Sequence, residues 1–118
     1  MEKLISWVAI PSSDFMRAVD FYNKVFKLDM EAVTFHGESM ACFPTGEGAI
    51  VFDKEYQPVR IGVIINILVP DSIEETSRRI EDCGGKILVP KSFIGAEGLG
   101  YFAVFTDTEG NRIGLHEK

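Results

Sequence analysis

The 118-residue chain has few of the residues that build metal and redox sites: it holds two histidines and two cysteines. Cys42 and Cys83 share no CxxC or His-containing spacing, so neither a zinc site nor a redox pair is predicted, and we expect both thiols to be buried and reduced. Basic residues number 12 against 18 acidic ones, which gives a net charge of −6. Because nucleic acids and anionic membranes need clustered Lys and Arg, we expect neither as a partner.

Long hydrophobic runs are missing as well. The apolar stretch over residues 4–10 is interrupted by Ser6 and ends at Pro11, so it is too short for a secretion signal or a membrane span. We therefore expect a cytoplasmic protein. What the sequence does have is 46% hydrophobic residues, nine of them phenylalanine, which is enough for one core. A single domain over residues 1–118 is the prediction.

Strand and helix patterns follow one another in the same order twice. The elements predicted for module one (residues 1–57) are a strand over 4–10, a helix between Asp14 and Lys27, and strands over 30–35, 39–43 and 49–53. Those predicted for module two (residues 58–118) are a strand over 61–69, a helix from Asp71 to Cys83, and strands over 86–89, 101–106 and 112–116. Asp71 and Glu74 have the spacing of a capping box, and Gly84-Gly85 should end that helix.

An internal repeat supports the division into modules. Residues 41–51 (ACFPTGEGAIV) align without a gap with residues 103–113 (AVFTDTEGNRI), matching Ala, Phe, Glu, Gly and the final β-branched residue. The simplest interpretation is two βαβββ modules in tandem. Residues 107–110 are predicted to form a turn for backbone reasons alone, and His36 is predicted to be a turn residue.

Two parts of the chain carry a family resemblance: WVAIPSSD with RAVDFYNKVF (residues 7–14 and 17–26), and GYFAVFTD with EGNRIGL (residues 100–107 and 109–115). They resemble the vicinal oxygen chelate superfamily, which includes glyoxalase I, bleomycin-resistance proteins and extradiol dioxygenases. Within that superfamily, the sequence resembles the short proteins related to lactoylglutathione lyase. The resemblance implies an α+β fold in which the two βαβββ modules form a half-open mixed β-sheet cup with the helices outside, and it implies a homodimer.

In the metal-dependent members, the resemblance implies one ligand from the first and last strand of each module, supplied by His, Gln or Glu. Carried onto this sequence, those positions fall on Trp7, Phe52, Ile64 or Ile65, and Gly114. None of these side chains binds metal, so we expect no metal and no cofactor. A glyoxalase I or dioxygenase reaction at the usual site is therefore not expected.

The residues around those positions predict an apolar and aromatic cup instead. The expected lining residues are Trp7, Ile50, Phe52, Ile65, Arg112 and Gly114. Two of them have alternatives. Trp7 would either stack on a ligand or fill the core, and Arg112 would either hold a carboxylate or phosphate or pair with Glu109 or Glu117 on the surface.

Three functions are compatible with these features, and the first is our prediction. It is a metal-free protein that binds a small apolar or aromatic molecule in the cup. The second is a glyoxalase-like lyase or isomerase with a displaced or absent metal site, for which His116 and Glu97 are the catalytic candidates. The residues by themselves favour a simpler interpretation, in which His116 is a solvent-edge histidine and Glu97 is a solvated residue of the Gly-rich loop 92–100, itself a predicted mobile rim. The third is a non-catalytic dimerisation module.

Overall fold

The α+β fold with two βαβββ modules is confirmed. A computed structural model of the chain describes residues 4–35 and 37–118, so His36 lies outside the described residues. In chain order the elements are β1 (Val8–Pro11), α1 (Phe15–Phe26), β2 (Ala32–Phe35), β3 (Glu38–Cys42), β4 (Gly48–Phe52), β5 (Asn66–Leu68), α2 (Ile73–Asp82), β6 (Lys86–Phe93), β7 (Tyr101–Thr106) and β8 (Arg112–Glu117). They form two open, mixed sheets with the orders β1-β4-β3-β2 and β5-β8-β7-β6. Within the described ranges, no helix has the length and apolar character needed to cross a bilayer.

Helix α1 begins and ends where the sequence predicts. The Asp14 carboxylate accepts a hydrogen bond from the backbone amide of Arg17 at 3.2 Å, which satisfies one of the free donors of the first turn. The helix ends at Lys27, which adopts the left-handed conformation (φ 58°) and donates its amide to the Asn23 carbonyl. Its apolar face is buried and includes Phe21.

Helix α2 is capped by Ser72, not by Asp71 as predicted. The Ser72 hydroxyl accepts a hydrogen bond from the backbone amide of Glu75 at 3.1 Å. Asp71 precedes the cap, and its carboxylate instead accepts two hydrogen bonds from Arg79 at 2.8 and 2.9 Å. Hydrogen bonding to this guanidinium holds the pKa of Asp71 far below its usual range. At the other end Gly84 adopts φ 95°, which confirms the predicted glycine stop.

Three strands differ most from their predicted bounds. β1 begins at Val8 instead of residue 4, and β5 spans only Asn66–Leu68 instead of 61–69. Gly62, at φ 148°, interrupts the extended backbone there. β6 continues to Phe93 instead of stopping at residue 89, because irregularities in its pairing with β7 on both sides of Val89 accommodate Pro90, which has no amide to donate.

One core joins the two modules. Helices α1 and α2 pack against each other, and buried residues from both helices and both sheets form a single cluster. Phe21 of α1, for example, lies against Phe105 of β7 with ring centroids 6.1 Å apart. Because each sheet turns one face to this shared core, its other face points away from the helices and is open. The cysteines are not both buried as predicted: Cys42 is exposed and Cys83 is half-buried.

A buried carboxylate strengthens the contact between modules. Glu109, which the sequence places in a turn, reaches the start of α1. There it accepts hydrogen bonds from the amides of Ser13 and Asp14 at 2.9 and 2.7 Å and from Arg17 Nε at 2.7 Å. Desolvation raises the pKa of Glu109, but these hydrogen bonds outweigh it and lower the pKa to about 2. The carboxylate therefore stays ionised and links the β7–β8 turn to module one.

Candidate functional site

Strand β8 carries several of the predicted site residues on the open face of the second sheet. Its residues alternate between the two faces, and Ile113 and Leu115 are buried in the core. Arg112, Gly114 and His116 therefore point to the open face. The structure brings these three predicted residues onto one surface.

Gly114 is covered by a neighbour. It pairs with Asn66 of β5 on one side and with Val104 of β7 on the other. A Cβ added to Gly114 would collide with the side-chain amide of Asn66. The space where the family resemblance implies a metal ligand is thus taken by the Asn66 side chain.

The structure corrects two of the predicted lining residues. Ile50 is fully buried in the core, and Ile65 packs against that core from the helix side of the second sheet. Both were expected on the cup face. Each instead lies on the face of its own sheet that packs against the helices. Trp7 precedes β1, Phe52 ends β4, and both are exposed.

Strand pairing also corrects the alignment of the two modules. Ala41 pairs with Ile50, nine residues later, whereas Ala103 pairs with Leu115, twelve residues later. The second hairpin is therefore three residues longer, and the gapless alignment places β4 in the wrong register against β8. By pairing, the counterpart of Gly114 in module one is Ala49, not Phe52.

The same comparison of strand pairing shows which of Ile64 and Ile65 occupies the family ligand position in module two. Ile10 pairs with Ile50 in the first sheet and Ile67 pairs with Leu115 in the second, so Ile64 is the counterpart of Trp7. The four positions implied by the family are thus occupied by Trp7, Ala49, Ile64 and Gly114. These residues do not fit a metal ion, since none offers a ligand side chain. Nor do the described residues bring three or more His, Cys, Asp or Glu side chains together elsewhere.

A cleft lies beside the open face of β8. It has a volume of about 390 Å³ and is lined by Arg60, Ile61, Leu88 and Arg112. A hollow of about 280 Å³ that shares three of these residues extends along Gly62, Val63 and Ile64. Sequence reasoning missed Arg60, Ile61 and Leu88. The sequence pattern predicts one strand over residues 61–69, which would place Arg60 and Ile61 at its start. Gly62 is the only residue of this run that indicates a break.

The two arginines of the cleft have no carboxylate partner among the residues that the structure describes. Arg17, Arg78 and Arg79, the other arginines, all form ion pairs. The surface partners considered for Arg112 are bound elsewhere. Glu109 is held by Arg17, and Glu117 accepts hydrogen bonds from Lys91 and from the backbone amide of Ile73.

The catalytic candidates are not brought together. His116 Nε2 lies 2.8 Å from the Leu99 carbonyl oxygen. Since a carbonyl oxygen only accepts hydrogen bonds, Nε2 is the donor. His116 therefore links the Gly-rich loop to β8 by a hydrogen bond. Glu97 is an exposed residue of that loop and has no hydrogen bond to His116 within the described part of the chain.

Comparison with known proteins agrees with the architecture. The family sequence model named Glyoxalase/Bleomycin resistance protein/Dioxygenase superfamily matches residues 4–115 of this chain. No curated protein matches the sequence. Among solved structures, the chain is similar to a glyoxalase/bleomycin resistance protein/dioxygenase family enzyme from Burkholderia phytofirmans PsJN, with a TM-score of 0.71, 17% identity and coverage of 96% of this chain and 97% of that one.

Two further structures extend the comparison. The fosfomycin resistance protein FosX from Listeria monocytogenes has a TM-score of 0.71 at 19% identity, covering 100% of this chain and 95% of that one. An integron cassette protein from the mobile metagenome of V. Cholerae has a TM-score of 0.65 at 24% identity, covering 99% and 96%. Likeness at these identities shows the fold alone. Together with the family match over nearly the whole chain, it means that the protein belongs to the Glyoxalase/Bleomycin resistance protein/Dioxygenase superfamily.

Proposed function

We propose that this protein binds a small molecule with an apolar or aromatic body on the open face of its second sheet, without the metal ion of its metal-dependent relatives. The observation that carries the proposal is the cleft beside β8, whose apolar walls are Ile61 and Leu88. The residues at the four family ligand positions support it too, because they offer no first coordination shell.

The size and lining of the cleft support binding of a small molecule. Its volume of about 390 Å³ lies in the range common for ligand pockets, roughly 300–1,000 Å³. Ile61 is 93% exposed, so a ligand that covers it removes apolar surface from water. Such burial stabilises a complex by about 25 cal/mol per Å². A glyoxalase-like lyase or isomerase activity lacks comparable support, since His116 is bonded to the Leu99 carbonyl and not to an acidic side chain.

The homodimer expected from the family resemblance is part of the proposal. Exposed apolar residues gather on and beside the open faces of the sheets, including Trp7, Val33, Val63 and Leu68. A second copy of the chain would cover such surface, and each copy would then complete the cup of the other. Sedimentation velocity at micromolar concentration measures this directly, and a monomer at all concentrations would contradict it.

Thermal unfolding with a panel of aromatic and aliphatic compounds tests the binding function. A compound that binds the native state raises Tm, and we expect a rise that persists in excess EDTA. Ile61→Ser should abolish the rise, whereas Leu4→Ser, at an equally exposed apolar residue (89%), should leave it intact. The proposal fails if no compound of the panel changes Tm, or if the effect disappears with EDTA and returns with a divalent ion.

A further inference from the structure

We infer that the ligand of this cleft is a small organic acid, and that Arg60 and Arg112 hold its carboxylate, phosphate or phosphonate group. This inference rests on the proposed function and adds the chemical class of the ligand. It uses a residue, Arg60, that no motif of the sequence indicates.

A backbone contact joins the segment that carries Arg60 to the start of β8. The amide of Arg112 donates to the carbonyl of Val59 at 3.2 Å, which places Arg60 next to the start of β8. Val59 is fixed in turn by Asn111, whose buried side-chain oxygen accepts from the Val59 amide at 3.1 Å. The Asn111 Nδ2 atom donates to the Pro11 carbonyl and to Asp107. The position of Arg60 is therefore tied to the contact between the modules.

The charges of the cleft favour an anion. Two arginines line one small cleft, and no carboxylate among the described residues forms an ion pair with either of them. This arrangement stands out in a chain with 18 acidic and 12 basic residues, where the other three arginines are paired. A bound oxyanion would supply the negative charge that these two arginines lack. Guanidinium groups suit it, because their planar array of N–H donors matches the oxygens of a carboxylate or phosphate.

The rest of the lining indicates that the anion carries an apolar body. Ile61 and Leu88 complete the cleft around the two arginines, and neither can contact a bare inorganic ion favourably. An organic acid places its charged group on the guanidinium groups and its hydrocarbon part against these side chains. Inorganic phosphate alone should therefore bind much more weakly than an aromatic acid.

Calorimetric titration of the whole protein with matched probes tests this inference. Benzoate and phenylphosphonate represent the two acid groups, and benzamide is the neutral isostere of benzoate. We expect at least one acid to bind at least about tenfold more tightly than benzamide, with an affinity that falls as salt rises. Arg60→Gln and Arg112→Gln should each remove this preference, so that the acid binds no more tightly than benzamide. Arg78→Gln is the control of equal charge change, because Arg78 is an exposed residue of α2 paired with Glu75.

The possible failures are distinct. Equal binding of benzoate, phenylphosphonate and benzamide would overturn the inference and leave the proposed function standing, whereas no binding of any compound would overturn both. If Arg60→Gln and Arg112→Gln keep the preference for the acid but convert a dimer to a monomer in sedimentation, the arginines pair with acidic residues of a second copy, and the inference is wrong. Unchanged circular dichroism of each variant establishes that it is folded.

Discussion

The phenolic hydroxyl of Tyr22 on α1 donates a hydrogen bond of 2.7 Å to Asp107 Oδ2 in the turn between β7 and β8. Both residues are buried, and Asp107 also accepts from the backbone amides of Glu109 and Asn111. Burial, together with the charge of Asp107, raises the pKa of Tyr22 well above its ordinary value, so the hydroxyl remains a donor. This pair joins a helix of module one to the turn that carries Glu109 and leads into Arg112.

Removing the hydroxyl tests the role of this pair in stability. Tyr22→Phe leaves a buried carboxylate one donor short, and we expect the free energy of unfolding to fall by about 1–3 kcal/mol. Urea denaturation measures the change. Tyr56→Phe is the matched control, because Tyr56 is 51% exposed and its substitution should have no measurable effect. Equal stabilities of the two variants would show that the pair contributes nothing.

The acid sensitivity of the fold should depend on Glu109. Its pKa in the folded chain is about 2, below the ordinary value of 4.5, so its contribution to stability is complete above about pH 5. As the pH falls from about 4.5 towards 2, the unfolded state takes up a proton that the folded state does not, and that contribution is lost. Glu109→Gln should therefore lower stability at pH 7 by about 2 kcal/mol and flatten this part of the pH profile.

Glu97→Gln is the control for that experiment, since Glu97 is exposed in the loop. Its profile of unfolding free energy between pH 2 and 7 should match the wild type. A Glu109→Gln variant with the same slope as the wild type would contradict the assignment of Glu109.

Two buried strand glycines should respond differently to a methyl group. A Cβ on Gly48 would collide with the backbone carbonyl of Val8 in β1, which cannot move without breaking the pairing of β1 and β4. On Gly114 it would meet only the side chain of Asn66. We expect Gly48→Ala to lower the free energy of unfolding by about 3 kcal/mol and Gly114→Ala by about 1 kcal/mol or less.

A double variant separates the two cases further. Combining Gly114→Ala with Asn66→Ala should remove most of the loss caused by Gly114→Ala, because the side chain in its way is gone. If Gly114→Ala is as damaging as Gly48→Ala, and Asn66→Ala does not rescue it, then the Asn66 side chain does not occupy that space as described.

The loop over residues 94–100 should loosen when His116 is replaced. His116→Ala removes the donor to the Leu99 carbonyl, and we expect amide hydrogen exchange over this loop to accelerate by roughly tenfold with little change in overall stability. His116→Gln retains a donor and should preserve more of the protection. Unchanged exchange in His116→Ala would mean that other contacts hold the loop.

Strong local patterns made much of the fold predictable. The apolar face of α1 recurs at helical spacing between Asp14 and Lys27, and the structure starts and ends the helix there. The cap of α2 was harder to predict, because Asp71 and Ser72 are adjacent and both are good N-caps. Only the position of Arg79 shows that the Asp71 carboxylate is bound elsewhere, which leaves Ser72 as the cap. Apart from Gly62 and Asn66, the segment 61–69 is made of Ile, Leu and Val, so its hydrophobicity could not reveal the break at Gly62.

The site was harder to predict because it depends on register and on distant contacts. The gapless repeat aligns the hairpin residues by identity alone and does not show that the second hairpin is three residues longer. Because of this difference in length, the counterpart of Gly114 is Ala49 instead of Phe52. Arg60 and Arg112 are far apart in sequence. They become neighbours only because the carbonyl of Val59 accepts from the amide of Arg112, a contact that no local pattern announces.

The most direct test of metal-independent ligand binding beside β8 is a ¹H–¹⁵N NMR titration of the ¹⁵N-labelled protein with benzoate in the presence of EDTA. We predict saturable shift changes confined to the amides of residues 59–64, Leu88 and residues 112–114, and their loss in Arg112→Gln. Shift changes that require an added divalent ion, or that map to the surface around Trp7 instead, would contradict it.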